Sequence, residues 1–292
     1  MAQDLYSEPR TADDDAPTRV VPSHVRVLIA EDNAVNMQVA SFHLEDLGLT
    51  SSPAVNGAIA LALYEKDPFD FVLMDCQMPV MDGFQALAAI RTFETAHQIP
   101  RATIIAVTAA DDAGSQMQCA AAGFDGFLAK PFTASQLESV LLDCRSSLRH
   151  LSVPHDAQHD DADTTQLPVL DRSAFHAFVD EFGVDTAAAL LASFVKSLQE
   201  CKTKFDTAVA AKDTPALQAL AHKITGAAGT VGAVAAARSA RSIEATCKRG
   251  EFRWSSDIAD FGVTLIATIA AFQPLQTPGA LQFALKCFPG KV

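Results

Sequence analysis

The sequence predicts an α/β doubly wound sheet of five parallel strands followed by an all-α helical bundle. Three observations carry that expectation. Short apolar runs alternate with helix-spaced segments up to about residue 148, which is the pattern of successive βα units. Strand signals then stop, while helical periodicity continues to about residue 273. Between the two, residues 150–168 are rich in Asp, His, Gln and Thr and contain Pro154 and Pro168, the composition of a linker.

Length and charge narrow the class. The 292 residues suit two domains, since about 100–200 residues per domain is usual. Asp and Glu number 35 against 22 Lys and Arg, a formal charge of −13, so a nucleic-acid partner is not expected. The six cysteines (76, 119, 144, 201, 247 and 287) show no paired spacing and read as free thiols of a reducing compartment. Residues 1–24 are polar and broken by three prolines, so they read as a disordered acidic tail and not a signal peptide. No apolar run approaches the ~20 residues that span a bilayer. Membrane insertion is therefore not expected, and the localisation expected is cytoplasmic.

The elements follow in order. Strands are expected at 25–30, 49–54, 71–74, 103–107 and 125–129. Helices follow each of them, at 34–47, 57–64, 84–95, 112–121 and 134–148. The sheet domain thus occupies 25–149. In the second domain, 169–273, helices are expected at 171–182, 186–210, 214–228, 233–249 and 257–272, with breaks at Gly183, Pro215, Gly229–Gly232 and Gly250. Residues 274–292, with three more prolines, are expected to form a tail without assigned structure.

The strand ends hold the chemistry. Parallel strands all point their C-terminal ends to one edge, where open α/β sheets bind ligands. There the sequence supplies Glu31 and Asp32, then Asp75, then Thr108, then Lys130. An isolated Asp75 would be read as a turn cap; the set argues for more. Three carboxylates need a counter-charge, and Mg2+ accepts carboxylates, a carbonyl, water and a phosphate oxygen. Asp75 can then attack phosphorus as a carboxylate nucleophile, with Lys130 neutralising developing charge and Thr108 bonding the phosphoryl group.

Glu31-Asp32-Asn33-Ala34-Val35-Asn36, Met74 through Gly83, Thr108-Ala109 and Lys130-Pro131 resemble the motifs of a response-regulator receiver domain of the hybrid histidine kinase type, over residues 24–148. The resemblance implies a flavodoxin-like fold with Asp75 as phosphoacceptor. It further implies Mg2+ held by Asp32, Asp75 and the Gln77 carbonyl, with Glu31 acting through water. Thr108 and Lys130 would read out the phosphoryl group, and Lys130-Pro131 would be cis. The switch aromatic falls at Phe127, where many relatives carry tyrosine; without a hydroxyl its hydrogen-bond coupling to Thr108 is lost.

A second constellation lies in the bundle. In 217–228 the apolar stripe is Leu217, Leu220, Ala221, Ile224 and Ala228, which leaves His222 on a face with Gln218, Thr225 and Gly226. A lone histidine there is ordinarily a solvated side chain. Glycine on an exposed helix face costs about 1 kcal/mol relative to alanine, so Gly226 beside His222 suggests clearance for a close approach; small-residue helix packing is the alternative. A reversal near 229–232 would set Arg238 level with His222 and Arg241 a turn on, which with Lys223 would give phosphate-stabilising charge. Neutral imidazole is a nucleophile near neutral pH.

His222, Gly226 and Gly232 resemble the motif of a histidine phosphotransfer domain over residues 168–273. The family often has lysine three residues after the histidine; here Thr225 stands there. With no nucleotide-binding fingerprint and no output domain, the combination implies a phosphorelay intermediate. An upstream sensor histidine kinase would load Asp75, and His222 would pass the phosphoryl group to a downstream response-regulator receiver. Two rivals stand beside it. A phosphatase with an Asp nucleophile would need a second Asp two residues on, where Gln77 sits. A non-catalytic scaffold or phosphate sink would sequester partners. Met1 points to a free-standing chain, with a hybrid-kinase fragment as the alternative.

Overall fold

The computed structural model describes residues 25–108, 113–146, 169–250, 252–254 and 256–287. The expected tail 1–24 and the linker 150–168, with its His and Asp residues, lie outside them.

Five strands, β1 (Arg26–Ala30), β2 (Thr50–Ala54), β3 (Phe71–Asp75), β4 (Thr103–Thr108) and β5 (Gly126–Ala129), form one parallel sheet in the order β2-β1-β3-β4-β5. Alternate strand residues feed opposite faces. Leu28, Ala30, Val72 and Met74 join one core with Leu87, Ile90 and Phe127. Val27, Ile29, Leu73 and Ile105 join the other with Leu137 and Leu141. Strand β3 is buried at all five positions, as a central parallel strand must be. The weak pattern of β2 has a physical reason: it is an edge strand, where Pro53 is tolerated.

The connecting helices are α1 (Ala34–Asp46), α2 (Gly57–Lys66), α3 (Gly83–His97), α4 (Ala113–Ala122) and α5 (Ala134–Ser146). Asn33 caps α1 by accepting from the Val35 amide. Asp82 and Gln85 cap α3 reciprocally.

The second domain comprises α6 (Arg172–Ala211), α7 (Thr214–Thr230), α8 (Val234–Arg249), α9 (Ser256–Phe272) and α10 (Pro278–Cys287). Gly183, at φ 72° and ψ 160°, breaks α6 where the sequence separates two helices. Asp213 caps α7 with Pro215 in its first turn. Two expectations are corrected. Part of the 274–292 tail is helical: Pro278 sits at the first helical turn, which it favours, and Leu281 is fully buried. One stretch, Ser256–Leu275, is long and apolar enough to cross a membrane by length and composition. It packs Phe261, Leu265 and Phe272 into the bundle core.

The two domains share apolar contact. Val35 and Val39 of α1 belong to the bundle's core cluster, with Phe42 packed against it. The Phe42 and Phe182 rings lie 5.0 Å apart. His43 is 1% exposed between Phe42, Phe132 and Phe182, and neither ring nitrogen has a hydrogen-bond partner. Glu181 lies 3.8 Å from its Nε2. Burial lowers the His43 pKa against the opposing pull of Glu181 and Asp46. The unfolded chain therefore takes up this proton first, and the His43 contribution to stability falls as pH drops below about 6.5. Urea midpoints at pH 7.5 and 5.5 are expected to differ more in the wild type than in His43→Leu.

Candidate functional site

The β-strand ends and α7 build one pocket. It is lined by Glu31, Asp32, Asn33, Asn36, Asp75 and Lys130 of the sheet domain and by His222, Lys223 and Gly226 of the bundle. The sequence placed these residues at two separate sites.

Asp75 is 3% exposed at the end of β3. Its Oδ1 accepts from the Gln77 amide at 3.0 Å and its Oδ2 from Lys130 Nζ at 2.7 Å. The same ammonium donates to Glu31 Oε2. Glu31 Oε1 accepts from the Asn33 amide at 3.1 Å and Asn36 Nδ2 at 3.2 Å. Burial pushes the Glu31 carboxyl up to about 7, with Lys130 opposing and Asp75 reinforcing. Burial alone would lower Lys130; the Asp75 and Glu31 carboxylates outweigh it and hold the ammonium above its ordinary pKa. The Lys130-Pro131 peptide is cis. Thr108 is buried at the end of β4, and its carbonyl accepts from the Lys130 amide at 2.8 Å. Phe127 is turned inward, 8% exposed, in the core.

The turn that follows Asp75 is held from both sides. Gly83 donates to the Cys76 carbonyl at 3.2 Å, and Gly57 to the Met81 carbonyl at 3.1 Å. Between them Val80 takes φ 72° while 86% exposed, a left-handed conformation that costs a β-branched residue about 1–3 kcal/mol. Cys76 and Cys119 lie 3.7 Å apart as free thiols, and burial raises both pKa values.

Glu31, Asp32 and Asp75 each offer a carboxylate oxygen within 4.8 Å of one another. That donor set fits a hard divalent cation such as Mg2+. Asp32 is the least committed of the three inside its own domain: its partner among the described residues is Lys223 of the bundle, whose Nζ lies 2.9 Å from the Asp32 carbonyl and 3.3 Å from Oδ2.

On α7, His222 Nδ1 is sealed from solvent with Glu244 Oε1 at 3.4 Å, too poorly aligned to count as a hydrogen bond. Burial works to raise the Glu244 carboxyl, yet His222 and Lys248 hold it down to about 2. The acid displaces an expected base. His222 lies eight residues before the end of α7, and eight residues into α8 stands Ser242, so Arg238 falls about a turn short of it. The helices reverse at Val231–Ala233, later than the glycines suggest, and Arg238 is exposed. Thr225 also differs from expectation. It is buried, with its hydroxyl bonded back to the Ala221 carbonyl. Glu244 carries no sequence signal of its own; only the helix register brings it to the imidazole.

The clearance read from the glycines has an occupant. A Cβ at Gly226 would lie 2.9 Å from Asn36 Nδ2, and one at Gly229 would lie 3.6 Å from Pro131 Cδ. Both glycines face the sheet domain.

Comparison with known proteins agrees with this division. Residues 27–142 match the response regulator receiver domain family, and residues 189–274 the Hpt domain family. Sensor histidine kinase GacS of Pseudomonas protegens is 32% identical over 226 residues, 77% of this chain and 24% of its own length. Hybrid signal transduction protein dokA of Dictyostelium discoideum is 41% identical over 118 residues, 40% of this chain and 7% of its own. The receiver domain of the histidine kinase CKI1 from Arabidopsis thaliana, solved with Mg2+ and BeF3-, is 32% identical over 42% of this chain and 91% of that one, with a TM-score of 0.39. The chain thus spans about a quarter or less of the curated relatives it matches. It carries a response regulator receiver domain followed by an Hpt domain.

Proposed function

We propose that the chain is a two-component phosphorelay intermediate that passes a phosphoryl group between Asp75 and His222. The observation that carries this reading is the shared pocket, in which the receiver's acidic cluster and the bundle's histidine line one cleft.

The chemistry balances in both directions. An Asp75 oxygen attacks the phosphorus of a phosphohistidine on an upstream kinase; the P–N bond breaks and its electron pair returns to the imidazole. In the next step a His222 nitrogen attacks the aspartyl phosphate, and the P–O bond breaks with its electrons returning to the Asp75 carboxylate. Nδ1 faces Glu244, so Nε2 is the nitrogen left for the pocket. Lys130 stands beside Asp75 to neutralise charge as it develops. While Asp75 is loaded from the kinase, Asp32 and Asp75, with Glu31 behind them, would hold a divalent cation that supplies further neutralisation. A downstream receiver then takes the group from His222 by the same exchange.

Incubation with a phosphorylated histidine kinase and Mg2+ tests the reading. Wild type is expected to carry acid-stable label at Asp75 and base-stable label at His222. Asp75→Asn should lose both, and His222→Gln only the second. Label at neither site in the wild type refutes the relay and leaves the scaffold or phosphate sink. Label reaching His222 in Asp75→Asn would show the two sites loaded in parallel.

A further inference from the structure

We propose that Lys223 is a tethered cation that competes with a divalent ion for Asp32, so that docking of the bundle on the receiver and metal loading of the acidic pocket oppose one another. The inference rests on reading Asp32 as a metal ligand.

Charge accounts for the competition. Lys130 serves Glu31 and Asp75, and Lys223 serves Asp32. Two ammonium groups therefore already face three carboxylates. A divalent ion brought among the same oxygens would meet Lys223 at close range, in a half-buried setting where like charges repel more strongly than in water. The side chain must leave Asp32, and one anchor of the docked bundle goes with it.

The contact is built in depth. The Lys223 backbone carbonyl accepts from Asn33 Nδ2 at 3.0 Å, which fixes the lysine at its main chain as well as its tip. Gly226 admits Asn36, and Gly229 lies against Pro131. Behind them Val35 and Val39 are buried in the bundle's core. With the bundle seated, His222 and Lys223 line the pocket that holds Asp75, the place an external phosphohistidine must reach. The docked form is thus self-masked, and Lys223 is its metal-sensitive latch. Linkage makes the effect reciprocal: the factor by which docking weakens metal binding is the factor by which metal weakens docking.

The test is calorimetric titration of the full chain with MgCl2, beside small-angle scattering with and without Mg2+. Lys223→Ala is expected to bind Mg2+ roughly 5–150-fold more tightly than wild type, the range of ordinary coupling between sites. Gly226→Leu, which keeps the lysine but blocks the approach at Asn36, should tighten binding in the same direction. Asn36 could swing aside for alanine, so leucine is the informative variant. Lys223→Arg should stay near wild type. The radius of gyration should rise with Mg2+ in the wild type and be already high in Gly226→Leu. Equal affinities in wild type, Lys223→Ala and Gly226→Leu, all folded by circular dichroism, overturn the latch and leave the relay standing. Tightening in Lys223→Ala alone overturns it too, because the effect would then be the lost charge and not docking. Absence of Mg2+ binding in every variant overturns the metal-site reading as well.

Discussion

Replacing Lys130 with alanine is expected to lower the stability of the chain by about 3–5 kcal/mol, the usual cost of leaving a buried ion pair without one partner. Lys130 is 8% exposed and is the ammonium that bridges Asp75 and Glu31. Without it two carboxylates stay buried side by side. Acid should relieve the loss. Glu31 has its folded pKa raised to about 7, so its contribution is fully present below the unfolded value of about 4.3 and is lost as pH rises through 7. Removing Lys130 pushes that carboxyl further towards its neutral form. Urea unfolding of wild type and Lys130→Ala should therefore show a large gap at pH 8 and a smaller one at pH 5.5. A gap below about 1 kcal/mol at pH 8 would mean that the ammonium is not the counter-charge the geometry makes it.

Gly83→Ala is expected to cost about 3 kcal/mol or more, and to remove the Asp75 label before it unfolds the chain. A Cβ at that position would sit 2.2 Å from the Asp75 carbonyl oxygen and 3.0 Å from Cys76 Cα. Both are backbone atoms, with no rotamer to yield. Overpacking a core costs about 1–3 kcal/mol and occasionally more; here the strand end itself must shift, carrying the Asp75 carboxylate off its bonds to Lys130 and Gln77. Chemical denaturation and phosphodonor labelling of the same sample would separate the two effects. Wild-type stability with wild-type labelling would show that the turn gives way more easily than its contacts imply.

The sheet was legible because each buried strand is a short apolar run ending on a polar residue. The site residues sit at strand ends, so parallel topology alone brings Glu31, Asp32, Asp75, Thr108 and Lys130 to one edge. What the sequence hid depends on register and on contact between domains. Arg238 and Glu244 exchange roles through the placement of one helical reversal, which several small residues between Gly229 and Ala233 could equally have made. The last helix escaped because Pro278 and Gly279 look like breakers, yet proline is welcome in a first turn. Asn33 was visible as a motif residue and a helix cap. Its side-chain bond to the Lys223 carbonyl, 190 residues away, follows from no local pattern.

The core of the bundle does not end at the bundle. Val35 and Val39 complete it from another domain, and Gly226 is small because Asn36 lies opposite. Swapping in a different receiver meets a packing constraint here. A receiver borrowed from elsewhere would have to bring apolar residues at two α1 positions and a compact partner for the helix that holds His222. The two modules are separable as chemistry and matched in shape across α1 and α7.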